Sequence, residues 1–446
     1  MSPRFRLDRS YRRHDSVVIG GSPLRLFRLS AAGRRVVEAI EKAEPLPAGH
    51  GRLTDRLADA GAIHPQPTES AYAASDVTIV VPAYNAEPRF TATEHNTIVV
   101  DDGSDPPLPE RLGRRLIRLA VNSGPGAARN AGLAAAQTPL VAFVDTDVDA
   151  GSDWLGPLLV HFSDPRVALV APRVGCARGD SAIAGYEAFR SPLDLGADAA
   201  RISAGSRVSY VPGAAIVART DVLRSIGGFD ESMRSGEDVD LVWRLVEGGH
   251  RCRYEPAVTV FHQPRPTLRA WFQQRVTYGR SAAALDRKHS GAVAPLRLSG
   301  WSALVWGLVA LRRPWSAAAV AAGTTIALRR KLVDLPAMES VRLAGLGHLY
   351  AGRQVANALI RAWWPAAVLA AIVFKRLRPA VIAAATAPPL IDWWQRRGPL
   401  DPARYVLFRV ADDVAYGTGL WLGAIEIRRY GALAPKFTNW PGRASD

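Results

Sequence analysis

Between residues 76 and 290 short β-rich runs alternate with helical ones, and pairs of acids fall at the ends of the runs. The clear strands are Val77-Thr78-Ile79-Val80-Val81, Thr97 to Val100, Leu140 to Val144 and Val167 to Ala171. Strands that alternate with helices predict an α/β sheet. The loops at the strand C-termini of such a sheet converge on a crevice, where ligands bind.

The flanks differ in character. Residues 1–70 read as a separate small unit. Val17-Val18-Ile19 and Leu24 to Leu29 are two strands joined by Gly20-Gly21-Ser22-Pro23. A helix over Ala31 to Ala43 follows, with Ser30 as its N-cap and Val36, Val37 and Ile40 at helical spacing. A second helix spans about Leu53 to Ala60 and stops at Gly61. The pattern predicts a winged-helix-like α+β domain, which either binds DNA or peptide or braces its neighbour. Beyond residue 295, apolar stretches rich in Trp and Ala alternate with basic clusters. Leu304 to Leu311 precedes Arg312-Arg313, and Ala362 to Phe374 precedes Lys375-Arg376. These runs are shorter than the ~20 residues of a spanning helix, and Pro314, Pro365, Pro388 and Pro389 interrupt them. Helices lying in the cytoplasmic face of the membrane, with Trp and Arg at the headgroups, are expected. Helices packed on the α/β block are one alternative, and full spanning helices of an integral membrane protein are another. The expected domains are therefore 1–70, 76–290 and 295–446.

Lys and Arg number 56 against 41 acids, a net charge of +15. Such a balance attracts polyanions, membranes or phosphate-bearing substrates without choosing among them. The basic residues are scattered through all three parts, so nucleic acid is not the expected partner. Cys176 and Cys252 lack metal-ligand spacing and read as plain thiols in a reducing compartment. The charged N-terminus, Met1 to Arg6, has no apolar core of a cleaved signal peptide.

Four motifs carry the chemistry. In Val99-Val100-Asp101-Asp102-Gly103-Ser104 a carboxylate at a strand end can accept the imide N–H of a uracil, although the triplet is also an ordinary turn. In Asn122-Ser123-Gly124-Pro125-Gly126-Ala127-Ala128-Arg129-Asn130-Ala131-Gly132, small residues open a helix whose N-terminus favours negative charge. Arg129 there reaches either a nucleotide or a neighbouring carboxylate. Phe143-Val144-Asp145-Thr146-Asp147 puts two carboxylates on one side of a strand end, a hard oxygen set suited to Mg²⁺ or Mn²⁺ on a diphosphate. Gly227-Gly228-Phe229-Asp230-Glu231 is followed by Gly236-Glu237-Asp238-Val239-Asp240-Leu241, whose acids either cap a helix or supply, in Asp238, a base for an acceptor hydroxyl. His262, at the end of Val260-Phe261-His262, is a lone histidine that is either structural or completes a Mn²⁺ shell.

In this order the four motifs resemble the family-two glycosyltransferases of GT-A fold over about residues 76–290. The resemblance implies that Asp101 and Asp102 contact the base of a nucleotide-sugar and that Asp145 lies near the ribose or metal. It further implies that Asp147 and His262 bind the metal, and that Asp238, with Glu237 beside it, is the catalytic base. The whole chain is similar to the mycofactocin-system glycosyltransferases, through Leu26-Phe27-Arg28-Leu29-Ser30-Ala31-Ala32-Gly33 and Ala411-Asp412-Asp413-Val414-Ala415-Tyr416-Gly417. That similarity implies inverting transfer of glucose from UDP-glucose to pre-mycofactocin, a peptide-derived acceptor, as a β-1,4 chain. A lipid phosphate is the alternative acceptor. A basic adaptor binding peptide or nucleic acid is the non-catalytic alternative.

Two departures stand out. Only Ala86 to Asn96 separate the first two strands, where the family places a full helix. The Gln-x-x-Arg-Trp motif of processive synthases is replaced by Gln273-Gln274-Arg275-Val276-Thr277-Tyr278.

Overall fold

A computed structural model describes residues 3–88, 96–110 and 115–438. The chain forms two compact units, residues 1–264 and 265–446. Residues 1–70 belong with the catalytic sheet, to which ion pairs join them, and the helix at 268–288 belongs with the C-terminal helices, against which it packs backbone to backbone.

The N-terminal segment contains β1 (Phe5–Leu7), β2 (Arg12–His14), β3 (Val17–Gly20), β4 (Arg25–Arg28), α1 (Ala31–Glu41), α2 (Gly51–Asp59) and β5 (Ile63–Pro65). Strands β2, β3 and β4 form an antiparallel sheet, and β1 pairs with β5. The Ser30 hydroxyl caps α1 by accepting the Gly33 amide, as its position predicts. Val18, Phe27, Val36, Val37, Ile40, Leu57 and Ile63 make a core of their own.

The catalytic segment follows as β6 (Val77–Ala83), β7 (Asn96–Asp101), β8 (Arg115–Arg118), α3 (Pro125–Ala135), β9 (Leu140–Val144), β10 (Val148–Asp149), α4 (Gly156–Leu159), β11 (Val167–Cys176), α5 (Ala182–Arg190), β12 (Ala200–Arg201), β13 (Ala215–Arg219), α6 (Thr220–Ser225), α7 (Glu237–Glu247) and β14 (Arg251–His262). Its mixed sheet runs β10-β14-β11-β13-β9-β6-β7-β8, with β12 added beside β14. Strand β6 is parallel to both β7 and β9, whereas β13 runs antiparallel to β9 and β11. Every residue of β9 is buried, as is almost all of β6 and β11, which accounts for their unbroken apolar runs. Despite the short connection, Thr78–Ala83 pairs in parallel with Asn96–Asp101. Most of that connection, residues 89–95, lies outside the described residues.

Residues 265–446 are helical: α8 (Leu268–Lys288), α9 (Gly300–Ala310), α10 (Pro314–Lys331), α11 (Ala337–Arg361), α12 (Trp364–Val373), α13 (Arg378–Arg396) and α14 (Pro402–Glu426), with a small β15 (Arg297–Leu298) and β16 (Lys436–Phe437) pair. Helix α14 lies against α8 through glycines. A Cβ on Gly419 would strike the Val276 carbonyl, one on Gly423 the Arg280 carbonyl, and one on Gly279 the Tyr416 carbonyl. Charges buried with these helices are paired: Arg275 meets Asp412 at 3.1 Å, and Asp413 takes both Arg361 and Arg409. Helix α13 continues through Pro388 and Pro389 rather than stopping there, giving up two intrahelical bonds. Among the described residues no single helix is long and apolar enough to cross a membrane. Helices α11 and α12 meet the length and composition together but are bent by 87°.

Candidate active site

The site lies where β7, β9 and β14 end and α3 and α7 begin. Asp101 and Asp102 terminate β7, and both are buried. Asp101 accepts the Ser104 and Leu108 amides, one on each oxygen, at 3.0 Å. Burial pushes its carboxyl upward, but these bonds outweigh it and hold it below the ordinary range. Asp102 accepts the amides of Ser123 at 2.7 Å and Gly124 at 2.8 Å, fixing the turn that opens α3. Gly103 between them is obligatory: its φ is +70°, and a Cβ would lie 2.6 Å from the Asn122 nitrogen. Asn85 ties β6 to the same loop. Its amide donates to the Ser104 hydroxyl, and its Oδ1 accepts the Asp105 amide, both at 2.9 Å.

Arg129, one turn into α3, is buried and faces two carboxylates, the second of the two roles the sequence left open for it. Its guanidinium donates to Glu237 at 2.6 Å and to Asp145 at 2.7 Å, and it lies over the Phe229 ring. Burial opposes its charge, yet Asp145, Glu237 and Asp238 outweigh that penalty and keep it protonated. Asp145 is raised, chiefly by burial, with Arg129 pulling it down and Asp147 pushing it up. Two residues on, Asp147 Oδ2 sits 3.0 Å from His262 Nε2. Strand pairing brings them together, because Val148 of β10 is directly opposite His262 of β14. Among the described residues, no group of three or more His, Cys, Asp or Glu side chains is assembled for a metal.

The acids of α7 divide by role. Asp240 is fully buried and holds Arg244 at 2.8 Å, and Arg244 in turn donates to the Ile226 and Gly228 carbonyls. It is a structural group. Asp238 is half-buried. Its Oδ2 accepts the Gly213 amide at 2.7 Å and its Oδ1 the Val239 amide at 2.8 Å. Burial first, then the neighbouring Glu237 charge, raise its carboxyl to about 6, against the opposing pull of Gly213 and Arg129.

Residues 78–223 match glycosyl transferase family 2. Pre-mycofactocin glycosyltransferase of Mycobacterium tuberculosis, in strains H37Rv and CDC 1551, is 40% identical over 447 residues, covering 94% of each chain. The chain belongs to this glycosyltransferase family. It is accordingly a sugar-transferring enzyme, a hexosyltransferase. A more distant relative is the succinoglycan biosynthesis protein ExoA of Rhizobium meliloti, 31% identical over 25% of this chain and 38% of its own. Among solved structures, the mannosyltransferase PcManGT from Pyrobaculum calidifontis, in complex with GDP-Man and Mn²⁺, aligns with a TM-score of 0.34 at 17% identity, over 74% of this chain and 91% of that one.

In this glycosyltransferase two further residues shape the site. Gly213 presents its amide to Asp238, and a Cβ there would lie 3.0 Å from Arg129 Nη2 and 3.3 Å from the Asp238 Cβ. Asn130 bonds to both the amide and the carbonyl of Phe229 and to Glu231, stitching α3 to the Gly-Gly-Phe-Asp-Glu loop. The signal for Gly213 is its place in a run of small residues, Gly213-Ala214-Ala215, that leads into β13. The signal for Asn130 is a polar residue on a helix face otherwise made of Gly126, Ala127, Leu133 and Ala134.

Proposed function

We propose that this enzyme transfers glucose from UDP-glucose to pre-mycofactocin with inversion, extending a β-1,4-linked chain. The observation that carries the reading is Asp238: a half-buried carboxylate raised to about 6 and held by two backbone amides. A base that titrates there is ionised near neutrality yet basic enough to accept a hydroxyl proton.

Asp147 and His262, 3.0 Å apart, fit one side of a Mg²⁺ or Mn²⁺ shell. Such ions commonly take one or two protein ligands and fill the rest with phosphate oxygens and water. When bound, the ion neutralises charge on the departing nucleoside diphosphate. Arg129 keeps Asp145 and Glu237 in place around the donor, and Asp102 shapes the turn that faces its base. Asp238 takes the proton from the acceptor hydroxyl. The hydroxyl oxygen then bonds to the anomeric carbon as the bond to the diphosphate breaks, so an α-linked donor gives a β product.

The reading extends to location at the cytoplasmic face of the membrane. Residues 265–446 leave large apolar side chains in water, including Trp315 at 87% exposure, Leu311 at 71% and Leu407 at 70%. Arg312-Arg313, Arg329-Arg330-Lys331 and Lys375-Arg376 stand among them, a pairing suited to anionic headgroups. The lipid-phosphate acceptor draws its support from the same surface.

The test is to incubate the enzyme with UDP-glucose, Mn²⁺ and pre-mycofactocin and to follow mass increments of one hexose. Sensitivity of the product to a β-1,4-glucanase is expected. A product that partitions into organic solvent in membrane extracts, with none on pre-mycofactocin, would replace this acceptor by a lipid.

A further inference from the structure

Among the described residues, and beside an exposed Arg9–Asp198 ion pair at 2.9 Å, two contacts join the N-terminal segment to the catalytic sheet. At the first, Arg251 opens β14 and binds Asp59 and Asp164 at 2.7 Å and Asp55 at 3.1 Å, while Arg166 binds Asp55 at 2.7 Å. The second is Arg207, in the loop between β12 and β13. Its side chain donates to Asp8 at 3.0 Å and to the Ala199 carbonyl at 2.9 Å, and its backbone amide donates to the Ser22 hydroxyl at 2.6 Å. Asp8 is a fixed post. It is buried, and it also bonds to His64 at 2.9 Å and to the amide and hydroxyl of Ser10.

The loop that Arg207 anchors is cross-linked by hydrogen bonds and leads directly to the base. Ile202 bridges Val208, the Ser206 hydroxyl donates to the Val208 carbonyl at 2.7 Å, and the Ser209 hydroxyl donates to the Ser206 carbonyl at 2.8 Å. The Ser209 carbonyl accepts the Trp243 indole N–H at 2.7 Å, which pins the loop to α7. Four residues later comes Gly213, whose amide holds Asp238. A surface loop would ordinarily give its polar groups to water. Here the amide of Arg207 and part of its side chain are given to the N-terminal segment.

We infer that the N-terminal segment is a working part of the transferase: Asp8 and Ser22 fix Arg207, and the loop it anchors seats Asp238 for proton transfer. The inference rests on the reading of Asp238 as the base. Arg207 is then a positioning residue, acting at the reacting hydroxyl only through Gly213 and Asp238. The charged groups around that carboxylate are Glu237 and Arg129.

The experiment uses the full chain with Arg207→Ala, Arg207→Lys and Ser22→Ala, and compares kcat, UDP affinity and the pH profile of glucose transfer. Asp238→Asn is run first. Retained activity in that variant would remove the base assignment itself, separately from the linkage. With Asp238→Asn inactive, Arg207→Ala is expected to keep UDP affinity within about twofold and to lose about 10- to 100-fold in kcat, the scale of a misplaced catalytic group. Its acid limb should move to higher pH, because a carboxylate that loses an amide donor binds its proton more tightly. Arg207→Lys should recover part of both. A wild-type rate and profile in folded Arg207→Ala overturns the inference. So does a rate that falls only with the folded fraction while the acid limb stays in place. Should Arg207→Ala fail to fold, Ser22→Ala decides by the same two readouts.

Discussion

Arg129 Nη1 lies 2.6 Å from Glu237 Oε1, and both side chains are buried. The pair joins the second and fourth sequence motifs across more than a hundred residues of chain. With Asp145 on its other nitrogen, the guanidinium is a clamp between the turn after β9, which carries Asp145 and Asp147, and the helix that carries Asp238. Removing it leaves buried Glu237 and half-buried Asp145 without the cation they share. Arg129→Met should cost ~3–5 kcal/mol in urea unfolding of the catalytic unit. Adding Glu237→Gln, which removes one of the stranded charges, should recover at least ~1 kcal/mol of that loss. Equal stability of the single and double variants would contradict the clamp.

The elevated Asp238 carboxyl sets the pH response. The base must be ionised to accept a proton, so kcat should climb as pH rises through about 6 and level off above it. Asp238→Asn should keep UDP binding and lose ~10²–10⁴-fold in turnover. A wild-type profile that stays flat down to pH 5 would place the base elsewhere.

Asp147→Ala removes one half of the Asp147–His262 pair. Thermal unfolding with UDP should show a Mn²⁺-dependent stabilisation in the wild type, of ~2.7 kcal/mol at a hundred times Kd, and none in the variant. A UDP shift of equal size in both proteins would separate nucleotide binding from these two residues.

Gly419→Ala tests the helical unit. A methyl group there meets the Val276 carbonyl, a backbone atom that cannot turn aside. Separation of α8 and α14 should cost at least ~1–3 kcal/mol and expose further apolar surface, read as increased dye binding at constant helicity. Gly307→Ala, where nothing lies within reach, serves as the control and should be neutral or slightly stabilising.

Much of the fold was legible because it is written in local signals. The β-branched runs of β6, β7, β9 and β11 and the Ser30 cap of α1 stand where their sequences place them. The strands β8, β13 and β14 carried weaker signals. Arg115–Arg118 alternates charged ends with two apolar residues, and Arg251–His262 mixes Arg, Tyr, Glu and Pro because several of its residues pair with charges from other segments. At the site the motifs named the acids but not their division of labour. Asp101, Asp102, Asp145, Glu237, Asp238 and Asp240 look alike in a sequence. What separates a loop-holder such as Asp101 from the raised Asp238 is which amides and charges the fold brings to each, and those come from residues such as Gly213 and Arg129, far away in the chain. The long-range contact of Asp8 with Arg207 is of the same kind, since neither residue sits in a recognisable pattern.

Asn85 and the loop after β7 are stapled by two hydrogen bonds that owe nothing to the residues between them. The parallel register of β6 and β7 is likewise complete up to Ala83 and Asp101. The length of the intervening stretch is thus uncoupled from the sheet, and doubling it would cost only ~0.6 kcal/mol of closure entropy. Relatives are free to differ in size there without rebuilding the crevice. The same freedom makes this stretch of sequence a natural insertion point for a fluorophore-bearing tag.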